Sequence, residues 1–399
     1  MTNDQNKAKL TEINQQPAMR VLAGGVFVMM VAMGIGRFAF TPILPLMQRD
    51  LGISHILAGS LASLNYAGYL LGALLCAMLP SLLRNIFVNV GTLVASIATT
   101  LLMGLTVSPF SWGILRFIGG VASAMLFVVI AIEVSETLAR SRLSRWNSVL
   151  FSGVGLGIAL SGLLVPFLDR LGGWSAAWLG MGALAIVLAI AGIGLAGRGH
   201  GAVRVPYGAV HTAGTLKGIG RLATVYFLEG VGYIVSATFL VTMIAHTPGL
   251  SGFAPWSWVA VGLAAAPSTI LWQLAANRVG LRQILSLTYL LQALGIFLSI
   301  NAATAVTSGV AAAIFGGTFM GITALAMAEG TRRAGAEGRR AAAIMTACFG
   351  AGQVVGPPLA GFLADQLGGF SLALFMAGTL VVIGGILVAT DSNFSSVLK

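Results

Sequence analysis

Runs of about 20 apolar residues recur from one end of this 399-residue chain to the other. Each is long enough to cross ~30 Å of hydrocarbon as a helix. In lipid every backbone polar group must find its partner inside the protein, so repeated runs of this length dictate a helical bundle. Twelve spans are predicted, over residues 20–47, 54–80, 86–106, 110–138, 145–168, 174–196, 218–246, 253–276, 282–303, 306–331, 340–364 and 370–391. Composition agrees: charged residues are only 8% of the chain, against about 25% in soluble domains. The polar start, residues 1–19, has no short apolar core or small-residue cleavage site and is expected to be a cytosolic tail.

A net charge of +11 raises the question of nucleic acid. The placement of the charge answers it. Of the 22 Lys and Arg, all but Arg37, Arg49, Arg116 and Arg170 fall on one side of a twelve-span chain with both ends inside. That is the positive-inside pattern, so the basic charge encodes orientation, and nucleic acid is not an expected partner. The two cysteines, Cys76 and Cys348, lie in apolar stretches without metal-ligand spacing. Neither a metal nor a cofactor is expected.

The chain repeats itself at an offset of 196 residues without gaps. "GIGRFAFTPILPLM" (34–47) lies over "GVGYIVSATFLVTM" (230–243), pairing Gly34 with Gly230 and Gly36 with Gly232. Glu133 lies over Glu329, and "LDRLGGWSAAW" (168–178) over "ADQLGGFSLAL" (364–374). One offset therefore holds from the first span of each half to the last. The expected domains are an N-terminal six-helix bundle (20–196), a cytosolic linker (197–217), a C-terminal six-helix bundle (218–391) and a cytosolic tail (392–399). Parallel six-helix repeats are a transporter architecture, with the solute site between the halves near mid-membrane.

On these features the whole chain resembles a major facilitator superfamily transporter, and "GIGRFAFTPILP" resembles the bacterial YbfB/YjiJ-like branch. The resemblance implies an all-α fold of two pseudo-symmetric six-helix bundles in the bacterial inner membrane, acting as a monomer. It also implies that spans one, four, seven and ten line the cavity. The superfamily's charged loop motif, Gly-x-x-x-Asp-Arg-x-Gly-Arg-Arg, is reduced to Arg84 in the first half. In the second half Asn277 stands at the Asp position, followed by Arg278, Gly280 and Arg282. "LRFIGGVASAM" resembles the Arg-x-x-x-Gly pattern of span four, with Arg116, Gly119 and Gly120; snorkelling to the headgroups is the alternative for Arg116. Glu133 with Arg142, and Glu329 with Arg333, resemble inner-gate salt bridges. Gly356 and Pro357 in "GAGQVVGPPLAG" resemble an antiporter motif, though in the superfamily it belongs to span five.

Two charges lie deep in the chain: Arg37 in span one and Glu229 in span seven. Intramembrane ionisable residues are functional candidates by default. The offset places Glu229 over Met33, one helical turn from Arg37 on the same face. Three readings stay open. They form a structural ion pair, or Arg37 anchors a solute while Glu229 carries a coupling proton, or one of them only packs within its own half. An anion capturing Arg37 would favour a proton on Glu229 and give symport; a cation competing for Glu229 would give antiport. Asn65, Tyr66 and Tyr69 in span two, Tyr226 and Tyr233 in span seven, and Trp272 and Gln273 in span eight are further candidates for the cavity wall. Pro42 and Pro45 are expected to kink span one near an outer gate. No His-Glu-x-x-His and no phosphate-binding Gly-rich Lys loop occurs, so an enzyme is not expected. The expected activity is secondary transport of a small organic solute, anion or zwitterion, coupled to protons. A proton-driven efflux antiporter, a lipid translocator and a non-transporting sensor are the alternatives.

Overall fold

The computed structural model describes residues 3–197, 216 and 218–394. Most of the expected linker, with Lys217, and the end of the expected C-terminal tail lie outside the described residues. The chain runs through α1 (Asn3–Met29), a π-helical turn (Met30–Ile35), α2 (Phe40–Leu51), α3 (His55–Met78), α4 (Ile86–Met103), α5 (Pro109–Arg140) and α6 (Ser152–Ala196). The second half holds α7 (Ile219–His246), α8 (Ala254–Val279), α9 (Leu281–Ile300), α10 (Ala305–Ala334), α11 (Gly338–Leu367) and α12 (Ser371–Ala389). Among the described residues there is no strand.

Eleven of these helical runs are long and apolar enough to cross a membrane. The difference from twelve has a local cause. α6 is 45 residues long, about 67 Å at ~1.5 Å per residue, roughly twice the hydrocarbon thickness. Inside it Gly172 and Gly173 leave helical geometry, and Gly173 takes φ +67°, a left-handed conformation open to glycine. Two arms of spanning length result, matching the predicted fifth and sixth spans. The repeat places Gly368 over Gly172, and there α11 ends with Gly368 at φ +71°. The same Leu-Gly-Gly turn thus reverses the chain in both halves.

Helix starts follow side-chain chemistry. Ser54, Ser108 and Thr304 each accept a hydrogen bond from the backbone N–H three residues on, which satisfies a donor that the helix leaves orphaned. Large apolar side chains such as Phe87, Phe110, Phe167 and Ile190 point outward; an apolar exterior of this extent suits lipid.

The halves meet along two helix pairs, α3 with α11 and α6 with α8. Glycines make both crossings close. A Cβ on Gly155 would strike Ala266 and the Gly262 carbonyl, and a Cβ on Gly262 would strike the Gly155 carbonyl. On the other pair, Gly59 lies on the Pro357 carbonyl and Gly361 on the His55 carbonyl. Without a hydrophobic drive between helices in lipid, this close backbone packing is what holds them together. Gly155→Val forces backbone apart at the α6–α8 crossing and is expected to cost ~1–3 kcal/mol. A lower melting temperature in fluorescence-detected size exclusion checks it; an unchanged one contradicts the packing.

Candidate functional site

The first span is not one helix. From Met30 to Ile35 it widens to π geometry, and the backbone then turns before α2 starts at Phe40. Gly36 N–H bonds the Val31 carbonyl at 2.9 Å and Phe38 N–H the Met33 carbonyl at 3.1 Å, both five residues back. Pro42 explains the position. It has no N–H for the Phe38 carbonyl, and its ring disfavours continuous helix there. The expected kink is therefore an opening just before Pro42, with Pro45 inside α2. Gly34 lies against Gly157 of α6, and its repeat partner Gly230 against the Phe349 backbone of α11. Arg37 sits in the opened turn.

Arg37 is 3% exposed. Its guanidinium lies 4.2 Å from the Tyr69 ring centroid and 4.8 Å from that of Tyr66. Nη2 donates to Gln353 Oε1 at 2.8 Å, across to the C-terminal half. Gln353 Nε2 in turn donates to the Tyr233 hydroxyl. Nε has no hydrogen-bond partner, and no ion pair to Arg37 exists among the described residues. A cavity of about 400 Å³ begins here. Tyr69, Tyr226, Tyr233 and Gln273 line it with Arg37, together with Phe319, Phe349 and Gln353. Its wall runs to Asn147, Ala328 and Thr331, at the helix ends beside the basic loops. No residue from the last turns at the opposite face takes part.

Glu229 does not join this cavity and does not meet Arg37. It is 1% exposed and turned toward α9 and α10, where Gln292 Nε2 donates to its Oε1 at 2.6 Å. Gln292 Oε1 accepts from Thr318 at 3.2 Å, and Glu229 Oε2 is left without a partner. The side chain leaves α7 on the flank facing its own half.

Arg116 does not snorkel. It is 3% exposed, with its guanidinium 4.6 Å from the Phe40 ring centroid and beside Gly36, Thr99 and Thr100. Asn65 is fully buried and donates to the Arg116 carbonyl at 2.8 Å. Both thus lie inside the N-terminal half rather than on the cavity wall. Tyr66 also leaves the wall; its hydroxyl pairs with Thr238 across the halves at 3.3 Å. Trp272 ties α8 to α10 through the Gly317 carbonyl.

Of the expected inner-gate residues, Glu329, Arg333 and Asn277 are held within the C-terminal half. Glu329, fully buried, accepts from Arg332 at 2.7 and 2.8 Å and from Arg333 at 2.6 Å on its own helix. Arg333 continues to Asp391 at 2.8 Å. Burial works against the charged form of Asp391, yet the Asn393 N–H and Arg333 hold its carboxyl below the usual range. Glu133 packs among Gly24, Gly25 and Gly192. Asn277 accepts from Gln273 at 3.2 Å. Arg142 sits exposed after α5 at φ +58°. Arg278 and Arg282 enter no ion pair among the described residues. Gly356 packs on Val231 and Ile234 of α7.

Two further contacts join the halves toward the face away from the basic loops. Thr41 donates to the Ala237 carbonyl at 2.6 Å. The Asp365 carboxylate accepts the first two N–H groups of α3, His55 at 3.1 Å and Ile56 at 2.9 Å. A carboxylate at a helix N-terminus meets the positive end of its dipole. Asp169, the repeat partner of Asp365, instead pairs bidentately with exposed Arg49. The cavity is thus sealed at this face and approached from the other.

A helical bundle with a cavity between its two halves is a transporter architecture. The same fold is found in a crystal structure of a mutant of the nucleoside transporter NupG, at a TM-score of 0.68 and 12% identity, over 92% of this chain and 98% of that one. The family described as "Uncharacterised MFS-type transporter YbfB" matches residues 29–389, and the chain belongs to it. It is a multi-pass membrane transporter and not an enzyme. The "Uncharacterized MFS-type transporter YceJ" of Bacillus subtilis (strain 168) is 26% identical over 145 residues. That match covers 35% of this chain and 37% of the relative, so the chain spans little more than a third of it.

Removing the Asp365 charge is expected to loosen the sealed face by about 1 kcal/mol. The reporter is Thr242→Cys in a background with Cys76 and Cys348 replaced by Ala. Asp365→Asn should raise its maleimide labelling rate about fivefold; an unchanged rate would count against the seal.

Proposed function

We propose that this chain moves a small organic anion across the bacterial inner membrane by alternating access, coupled to protons through Glu229. The observation that carries the reading is the Arg37 guanidinium, buried at the head of the cavity with no carboxylate beside it. A buried cation is stable when a counter-charge arrives, and the cavity is where one can arrive. The basic loops support an orientation with both ends cytosolic and this cavity open to the cytosol. The bundles over 20–196 and 218–391 are the bodies that rock.

Glu229 supports coupling through its isolation. A carboxylate buried without a cation is costly, so the reading gives this group the proton in the state seen here. Solute and proton are then linked through α7. Tyr233, hydrogen-bonded to Gln353 and through it to Arg37, lies one turn from Glu229. A solute that displaces Gln353 from Arg37 also releases Tyr233 and shifts the helix that holds Glu229 against Gln292. Symport follows if both loads leave together.

The test begins with a panel of organic anions on purified protein, read by thermal stabilisation, since a ligand of the native state raises apparent stability. Hits enter a proteoliposome flux assay with and without a pH gradient. Arg37→Gln is expected to abolish both accumulation and exchange. Glu229→Gln is expected to abolish pH-driven accumulation while solute exchange persists. Full accumulation in Glu229→Gln would overturn the coupling role.

A further inference from the structure

Four aromatic rings of the cavity wall are parallel. Tyr226 stacks on Phe349 at 4.3 Å between centroids and 15° between planes. Phe349 lies at 5.4 Å and 4° from Tyr233, and Tyr233 at 5.9 Å and 5° from Phe319. Edge-on and tilted pairs are as common an outcome of aromatic packing, so a column of four near-parallel rings gives the cavity one preferred plane. The column is also connected to the charge. The Tyr233 hydroxyl accepts from Gln353, which accepts from Arg37. The Tyr233 hydroxyl is therefore linked to the guanidinium through one amide side chain.

We infer, resting on the anion reading above, that the solute is a planar aromatic monocarboxylate, its ring parallel to the Tyr226–Phe349–Tyr233–Phe319 column and its carboxylate on Arg37. Three observations converge. The ring column rewards a flat π-face over a puckered ring of the same size. Arg37 lines the cavity with its Nε buried and unpartnered and its Nη2 held only by a neutral amide, a planar cation that a planar carboxylate matches on displacing that amide. Among the described residues, the cavity wall contains one cation and no Asp or Glu. An ammonium group would find no counter-charge, which removes zwitterions and cations, and a second carboxylate would find no second cation. At about 400 Å³ the space is near the small end of the ~300–1,000 Å³ typical of ligand sites, so one or two rings fit.

The experiment measures binding of four probes to the purified full-length protein by thermal shift and isothermal titration. They are benzoate, cyclohexanecarboxylate (same charge, puckered ring), L-phenylalanine (zwitterion) and adenosine (flat, neutral). Benzoate is expected to bind at least tenfold more tightly than cyclohexanecarboxylate, and the other two not measurably. Phe349→Leu, with folding checked by its own melting curve, is expected to shrink the benzoate preference to less than threefold while both carboxylates still bind. Arg37→Gln is expected to abolish binding of both. Equal affinity for the two carboxylates overturns the planar inference and leaves the anion reading standing. Binding of adenosine or L-phenylalanine without the carboxylates overturns both, and so does the absence of any binding to either carboxylate. An unchanged preference in Phe349→Leu removes the ring column from the account.

Discussion

The cavity is organised around one buried guanidinium, that of Arg37, which has no carboxylate beside it. Placing an arginine near mid-bilayer costs roughly 2.5–3.5 kcal/mol on insertion scales. Two aromatic faces at about 0.5–2 kcal/mol each and one charge-assisted hydrogen bond at about 1.5–3 kcal/mol are of the same size. The fold can therefore hold Arg37 in place. It does so with π-faces and a neutral amide, neither of which removes the charge, so an edge of the cation stays available to the cavity. Had a carboxylate occupied the position of Gln353, the site would be neutral and closed to an anion.

The surrounding architecture serves that arrangement. The first span opens into a π turn so that Arg37 leaves the helix into the space between halves, and Pro42 fixes where the opening falls. Such irregular backbone is tolerated at membrane depth where it lines a cavity. Glycine crossings on α3–α11 and α6–α8 bring the halves together, and the Asp365 carboxylate on the α3 N-terminus seals the far face. Glu229 is turned away from Arg37, held by the Gln292 amide, which in turn accepts from Thr318. Arg37 reaches α7 through Gln353 and Tyr233, one turn from Glu229 on that helix.

Much of this is legible in the residues. Span lengths, the 196-residue repeat and the asymmetry of Lys and Arg fix the bundle, because each follows from hydrocarbon thickness and charge. The Gly-Gly turns at 172–173 and 368–369 read as breaks for the same reason. Side-chain chemistry within spans two, seven and eight singles out Tyr69, Tyr226, Tyr233 and Gln273 as candidates for the cavity wall. What level cannot supply is azimuth. The repeat puts Glu229 one turn from the level of Arg37, but a side chain's direction around α7 is set by packing against α9 and α10. The same limit misplaces Asn65 and Arg116, which turn into their own half. Gln353 escapes notice because "GAGQVVGPPLAG" draws attention to its glycines. Its signal is present all the same: an amide in the middle of an apolar span needs a partner.

The most direct measurement is the conversion of Gln353 to Glu, which supplies Arg37 with a carboxylate in place of an isosteric amide. If Arg37 stands ready for an anionic solute, Gln353→Glu should melt no lower than the parent protein while benzoate affinity falls at least tenfold. Parent-like affinity in a folded Gln353→Glu protein would contradict the account, because a guanidinium already paired would then bind the anion as well as a free one.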